Sequence, residues 1–285
     1  MKILITGKNS YIGNSFEAYV RGMHETKKCS LRESDWKSES WSDYDVVLHV
    51  AGIAHSDVTH TSKEEQERYY TVNRDMTKMA AEKAKADGVK QFIYLSSAIV
   101  YGESAPIGQE KKINQKTLPM PSNFYGDSKL QGENAILSLQ SEAFRIAIVR
   151  PPMVYGKEAK GNFPKLLKLA KMTPIFPNIE NQRSMIYNEN LCEFLKLVME
   201  KSLDGVFLPQ NKEIVSTSQL VKIMASENGK KVILVPGLQW MFKLLAHVTG
   251  YVNKIFGNLE YEQTASNQEW TYCKYSLEES IRKSI

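Results

Sequence analysis

In the N-terminal half, apolar residues come in short unbroken runs rather than in alternation. Lys2 to Thr6 (KILIT), Asp45 to Ala51 (DVVLHVA), Gln91 to Leu95 (QFIYL) and Ile146 to Arg150 (IAIVR) are such runs. Aliphatic, β-branched stretches without polar alternation suit strands buried on both faces. Helical stretches separate them, such as Asp75 to Asp87, which Gly88 ends. This alternation predicts a parallel sheet with helices on both faces, binding its ligand beyond the carboxyl ends of the strands. After about Tyr155 the pattern loosens. Loops with Gly161, Pro164, Pro174 and Pro177 precede a helix near Asn190 to Lys201. Gly205 to Leu208 reads as one more strand, and Ser216 with Gln219 as a capping box. The stretch from Trp240 to Phe256 is amphipathic, with Lys243 and Lys254 on it. It reads as a packed helix rather than one lying on a membrane. Repeats, linkers and low-complexity segments are absent from the sequence.

The first run leads straight into Gly7 and then a helix-like stretch carrying Gly13. Gly7 permits a tight turn, and Gly13 lets the helix lie close to the strand. The first helical N–H groups then face a phosphate, helped by the positive end of the helix dipole. Ser10 stands where a G-x-x-G-x-x-G pattern has its middle glycine. Taken alone the motif is of moderate strength, with an ordinary strand–turn–helix as the lesser reading.

Tyr125-Gly126-Asp127-Ser128-Lys129 places a phenol and an amine four residues apart, on one helix face. A free Tyr, with a pKa of about 10, is a poor acid–base group near neutrality. A neighbouring ammonium favours phenolate, and a shift of ~3 units corresponds to ~4 kcal/mol. A Tyr so tuned can exchange a proton with an alcohol or ketone. The pair alone is a weak signal, but Pro121-Ser122-Asn123 reads as the helix start. Ser97 follows the strand ending at Leu95, where its hydroxyl can reach the same oxygen. Read by itself, Ser97 is a turn hydroxyl.

Composition narrows the classes. The 285 residues are enough for a large core, and 42% hydrophobic with 24% charged content is ordinary for a globular protein. A net charge of +5 with scattered lysines gives nucleic-acid binding little support. Cys29, Cys192 and Cys273 lack metal-type spacing, so no metal site and a reduced, cytoplasmic setting are expected. The first residues read as a strand rather than a signal peptide. No apolar run reaches spanning length, so no membrane insertion is expected.

Taken together, TGKNSYIG, DVVLHVAG, Val72-Asn73, LSSAIVYG, YGDSK and VRPPMVYG resemble the extended short-chain dehydrogenase/reductases, the NAD-dependent epimerase/dehydratase family that acts on nucleotide sugars. Weaker likeness extends to Gly161-Asn162-Phe163, to Gln182 to Tyr187 and to Tyr275 to Ile281. Within the family the pattern is most similar to capsular-polysaccharide enzymes of the 4-epimerase-like and 4-ketoreductase kind. The resemblance implies an α/β, Rossmann-type doubly wound sheet with a smaller C-terminal substrate-binding region. The dinucleotide-binding core would be 1–156, with 183–210 returning to it; the substrate-binding region would be 157–182 and 211–285.

By resemblance, Tyr125 is the acid–base residue, Lys129 its partner and a holder of the nicotinamide ribose, and Ser97 the helper hydroxyl. Gly7, Ser10, Tyr11, Ile12 and Gly13 form the pyrophosphate turn. Ala51 and Gly52 are the small residues against the cofactor, and Asn73 supports its site. Asn162 and Arg183 contact the substrate diphosphate, alongside Ser97 and Tyr125 at the sugar. His49 and His55 read as structural. A homodimer through the helices at 75–87 and 125–139 is the family habit.

Three departures bear on function. Ser10 puts a hydroxyl where a glycine is usual. The strand expected near Cys29 to Leu31 is followed by Arg32 rather than an acidic residue, and a cation there, helped by Lys8, favours NADP over NAD. Met153 stands where many family epimerases carry a hydrogen-bonding Asn. The expected activity is therefore reduction of a 4-keto UDP-sugar. UDP-hexose 4-epimerisation is the alternative, and a non-catalytic dinucleotide-binding protein is a remote third.

Overall fold

The computed structural model describes residues 1–33, 35–54, 61–248, 250–266 and 269–285, excepting the side chains of 247–251. Its strands are β1 (Lys2–Thr6), β2 (Glu25–Cys29), β3 (Val46–His49), β4 (Gln91–Leu95), β5 (Lys112–Ile113), β6 (Arg145–Val149), β7 (Met153–Tyr155), β8 (Ile175–Pro177), β9 (Met185–Tyr187), β10 (Gly205–Phe207), β11 (Ile233–Val235) and β12 (Glu260–Tyr261). Its α-helices are α1 (Tyr11–Tyr19), α2 (Lys63–Tyr70), α3 (Met76–Ala86), α4 (Phe124–Leu137), α5 (Asn162–Met172), α6 (Asn188–Glu200), α7 (Thr217–Glu227), α8 (Gln239–Val248), α9 (Gly250–Phe256), α10 (Gln263–Ser266) and α11 (Leu277–Ser284). A π-helical turn, Thr71–Asp75, joins α2 to α3.

The chain forms two compact units. The first comprises Met1–Gly102, Leu118–Pro151 and Cys192–Pro209. Its six-stranded parallel sheet runs β10-β6-β4-β3-β1-β2, the doubly wound α/β arrangement expected. Ile3, Leu4 and Ile5 of β1 and the whole of β3 are buried, as their unbroken apolar runs require. The winding reverses at β1, which has β2 on one side and β3 on the other. Thr6 and His49 are register partners there, so the turns after both strands leave the sheet side by side. Such a switch point is where open α/β sheets hold ligands.

The strand expected near Cys29 to Leu31 lies earlier, at Glu25–Cys29. It is an edge strand, and Glu25, Lys27 and Lys28 break the apolar signal, as charged residues commonly do on exposed sheet edges.

The second unit comprises Glu103–Thr117, Pro152–Leu191 and Gln210–Ile285. Three short parallel ladders, β5 with β12, β7 with β9 and β8 with β11, hold its segments together. Tyr155, Phe163, Phe176, Met185 and Phe256 are among its core residues. Because of these ladders, 103–117, 152–156 and 183–191 group here rather than with the first unit. Both bonds of the Ser216–Gln219 capping box form at α7. The stretch from Trp240 to Phe256 is helical over its described backbone, in α8 and α9. Phe242 packs on Phe256 at 5.3 Å, but Trp240 and Leu244 are exposed, so only part of the expected packing is present.

Candidate active site

The turn after β1 is built for close approach. Gly7 has φ +90°, and a Cβ there would lie 3.0 Å from backbone atoms of Ala51. A side chain would therefore meet both backbone strain and the neighbouring turn. Gly13 lies against β1 and β3, and a Cβ would sit 3.1 Å from Val50 and 3.2 Å from Ile5. Ser10 is the N-cap of α1, its Oγ accepting from Gly13 N at 3.3 Å. The hydroxyl expected near phosphates thus also does a helix-capping job. Tyr11 and Ile12 form the first turn, whose N–H groups have no intrahelical acceptor. A narrow glycine turn running into a helix N-terminus fits a dinucleotide pyrophosphate.

Beside it, Asn73 in the π-helical turn ties down the segment after β3. Its Oδ1 accepts from Ile53 N at 2.9 Å, and its Nδ2 donates to Ile53 O at 3.2 Å and to Ser128 Oγ at 3.0 Å. Gly52 borders this arrangement. A Cβ there would lie 3.0 Å from Lys129 Nζ and 3.1 Å from Asn73 Oδ1. Lys129 Nζ donates to Leu95 O at 3.1 Å and lies 4.8 Å from the Tyr94 ring centre. Burial pulls its ammonium down to about 8, against the raising effect of Glu133.

Tyr125 sits in the first turn of α4, which Asn123 caps by accepting from Gly126 N at 2.9 Å. Ser97 follows β4 and caps the short 3-10 turn Ala98–Tyr101, so its turn role is real. Its hydroxyl is also hydrogen-bonded to Tyr125. Gly126 makes this meeting possible, since a Cβ would come 2.6 Å from Ile99 O. Burial pushes the Tyr125 phenol up to about 12, with Ser97 pulling it back and Tyr69 adding to the rise. This corrects the expectation that Lys129 lowers it. The lysine points to Leu95 O and Gly52, and it is not among the groups shifting the phenol.

Sequence reasoning missed a buried brace under these residues. Glu133, one turn beyond Lys129, accepts from Ser96 Oγ and from Arg150 Nε at 3.0 Å. Arg150 Nη1 donates to Tyr101 OH at 2.7 Å. The ends of β4 and β6 are thereby locked to α4, which sets Ser97 against Tyr125. Two glycines within the 14-residue α4 were the available signal, because glycine is costly inside a helix unless another backbone comes near. A Cβ at Gly132 would lie 2.2 Å from Asn73 O.

His49 is buried, bonded to Thr6 Oγ1 at 2.9 Å through Nδ1 and to Thr77 Oγ1 at 3.0 Å through Nε2. Burial, then the Lys129 charge, hold it neutral by lowering its pKa to about 3. Its place is structural. His55 lies outside the described residues. Arg32 is exposed, three residues beyond β2, its backbone N–H donating to Ser30 Oγ at 3.4 Å; Lys8 is exposed in the turn after β1.

In the second unit, Asn162 opens α5 and its Nδ2 donates to Lys254 O at 3.4 Å. Arg183 Nη1 donates to the carbonyls of Lys254 and Ile255, each at 2.8 Å. The structure brings these two side chains together at the carboxyl end of α9. Burial lowers the Arg183 guanidinium to about 10. Met153 is half-buried in β7, against the core. No group of three or more potential metal ligands occurs among the described residues.

The model of the NAD dependent epimerase/dehydratase family matches residues 3–207. UDP-glucose 4-epimerase of Vibrio cholerae is 31% identical over 224 residues, 75% of this chain and 67% of that protein. The N-acetyl-alpha-D-glucosaminyl-diphospho-ditrans,octacis-undecaprenol 4-epimerase of Escherichia coli O157:H7 is 24% identical over 281 residues, 90% and 81% of the two chains. Among solved structures, dTDP-4-dehydrorhamnose reductase of Bacillus anthracis, in complex with NADP, is similar with a TM-score of 0.66 at 20% identity, over 83% of each chain. At that identity the likeness is one of fold.

Proposed function

The chain belongs to the NAD dependent epimerase/dehydratase family, and from that premise we propose that it reduces a 4-keto sugar carried on UDP, in surface polysaccharide synthesis. The observation that carries the reading is the Tyr125–Ser97 hydrogen bond at the carboxyl end of β4. A nicotinamide dinucleotide, when bound, supplies the hydride. The chain's own residues would do the rest. Gly7, Ser10, Tyr11, Ile12 and Gly13 would hold the pyrophosphate, and Ala51 and Gly52 would leave room beside it. Asn73 keeps the Ile53 backbone in place, and Lys129 would bind ribose hydroxyls. Arg32, with Lys8, would take the 2′-phosphate of NADP, the favoured cofactor over NAD.

Tyr125 would donate its proton from the phenol oxygen to the sugar oxygen at C4, with Ser97 holding that oxygen. A phenol pushed to about 12 is fully protonated near neutrality. That state suits a donor better than an acceptor, which supports reduction. Met153 supports it too, since a thioether cannot donate a hydrogen bond. Asn162 and Arg183 would hold the diphosphate, a role for which Arg has a fixed fork of donors. Pairing of two copies through α3 and α4 would follow the family habit.

A second reading, 4-epimerisation of a UDP-hexose, is favoured by the names of the two curated relatives. A non-catalytic role would require loss of Tyr125, Lys129 or Ser97, and all three are present. The test mixes purified protein with NADPH and a UDP-4-keto-6-deoxy sugar. Stoichiometric NADPH consumption is expected. Co-purified NAD, with interconversion of UDP-hexoses and no added cofactor, would replace the reductase reading with the epimerase one.

A further inference from the structure

The end of α2 and the π-helical turn lie against the start of α4, and their contacts fall in two rows. In the outer row, Tyr70 OH donates to Asp127 Oδ2 at 2.8 Å, and Arg74 Nη1 donates to Gln131 Oε1 at 3.0 Å. In the inner row, Asn73 donates to Ser128 Oγ, and Tyr69 packs on Phe124 and Tyr125. Residues three or four apart share a helix face, which is why each row joins pairs at that spacing. Tyr69 and Asn73 are buried, whereas Tyr70 and Arg74 are half-buried. The outer row holds α2 to α4. The inner row also reaches the phenol assigned to chemistry.

The Tyr69 ring stands edge-on to two rings of α4. It is 4.9 Å from Phe124 at an interplanar angle of 77°, and 5.9 Å from Tyr125 at 67°. Aromatic rings favour such contacts because a positive edge meets a negative face. The Tyr69 ring therefore selects one plane for the Tyr125 ring. That plane matters in a phenol. Turning the ring about the axis from Cβ to the hydroxyl leaves the oxygen in place, and this torsion is soft. The O–H bond prefers the ring plane, because the oxygen is conjugated with the ring. Turning the ring therefore turns the proton and the lone pairs. Ser97 meets the oxygen, and a second contact is needed to set the plane.

We propose that Tyr69 is a positioning residue for Tyr125, its ring fixing the plane in which the phenol presents its proton to the sugar oxygen. Its own phenol acts in the same sense. Like charges repel, so Tyr69 opposes ionisation of Tyr125 and helps it keep the proton that reduction consumes. Nothing in the spacing of the Tyr125–Lys129 pair points to Tyr69, which lies 56 positions before Tyr125 and meets it only in the folded chain.

The inference rests on the reading of Tyr125 as proton donor, and the test separates the two. Turnover of NADPH with the UDP-4-keto-6-deoxy sugar is measured for the parent, Tyr69→Leu and Tyr69→Phe, and the Tyr125 ring is located in crystals of each. In Tyr69→Leu, kcat falls about tenfold to a hundredfold while KM stays within about twofold. Tyr69→Phe, which keeps the ring, holds kcat within about twofold of the parent. The Tyr125 ring turns by about 30° or more in the leucine variant and stays in place in the phenylalanine one. Should Tyr69→Leu not fold, Tyr69→Met fills the space without a ring and has the same expected results. A ringless variant with parental kcat overturns the proposal, as does one whose Tyr125 ring keeps its plane. A parent that does not turn over the sugar refutes the reductase reading instead, and the ring plane still decides the role of Tyr69.

Discussion

Gly52 and Lys129 share one space: the lysine nitrogen would lie 3.0 Å from any Cβ placed at residue 52. Gly52, in the segment after β3, therefore controls where the α4 amine can rest. Gly52→Ala meets the end of a flexible side chain, which can shift by a few tenths of an ångström. Its stability is expected to stay within about 0.5 kcal/mol of the parent, while dinucleotide affinity drops roughly tenfold. Urea unfolding and calorimetric titration with NADPH check the two halves. An unchanged affinity would mean that the Lys129 position does not matter to the cofactor.

Gly132→Ala gives the opposite pattern. Its Cβ would come 2.2 Å from Asn73 O, a backbone atom that cannot swing away. A loss of about 1–3 kcal/mol is expected in urea unfolding, with α4 pushed off the π-helical turn. Wild-type stability in this variant would show that the helix has room to spare.

Tyr125→Phe removes the proton donor but little volume. Turnover should fall by about 10²–10⁴, with NADPH affinity nearly unchanged. Steady-state kinetics beside a binding titration separate the two, and normal turnover would take Tyr125 out of the mechanism.

Glu133→Gln leaves the buried Arg150 guanidinium without its carboxylate. Breaking such a pair typically costs about 3–5 kcal/mol. Glu133 also raises the Lys129 pKa against burial, so the variant should move that pKa below about 8. The pH dependence of NADPH binding should shift to lower pH. Replacing Glu133 and Arg150 together by Leu and Met should cost less than the single change, by thermal or urea unfolding.

His49 makes stability depend on acid. The unfolded imidazole takes up a proton at about 6.5 and the folded one only at about 3. Between those values the unfolded chain binds more protons, so stability is full above about pH 6.5 and declines toward pH 3. The depression corresponds to on the order of 5 kcal/mol at its low-pH limit. His49→Gln should flatten this part of the stability–pH curve, and an equally steep decline in the variant would assign it to the carboxylates.

The inner strands were legible because a strand buried on both faces must be apolar throughout. KILIT, VVLH, QFIYL and RIAIV announce themselves this way. The edge strand ETKKC does not, because solvent tolerates charge along it.

Sequence alone determined the sheet class, the glycine turn, the Tyr125–Lys129 spacing and the family, all of which rest on residue type and local order. Only the tertiary structure decided that Ser97 bonds to the Tyr125 phenol, that burial raises this phenol, and that Lys129 turns to Leu95. It alone joined Glu133 to Arg150 and set Ile175 beside Ile233. Local patterns follow from neighbours along the chain, whereas desolvation and hydrogen-bond partners come from residues tens of positions away.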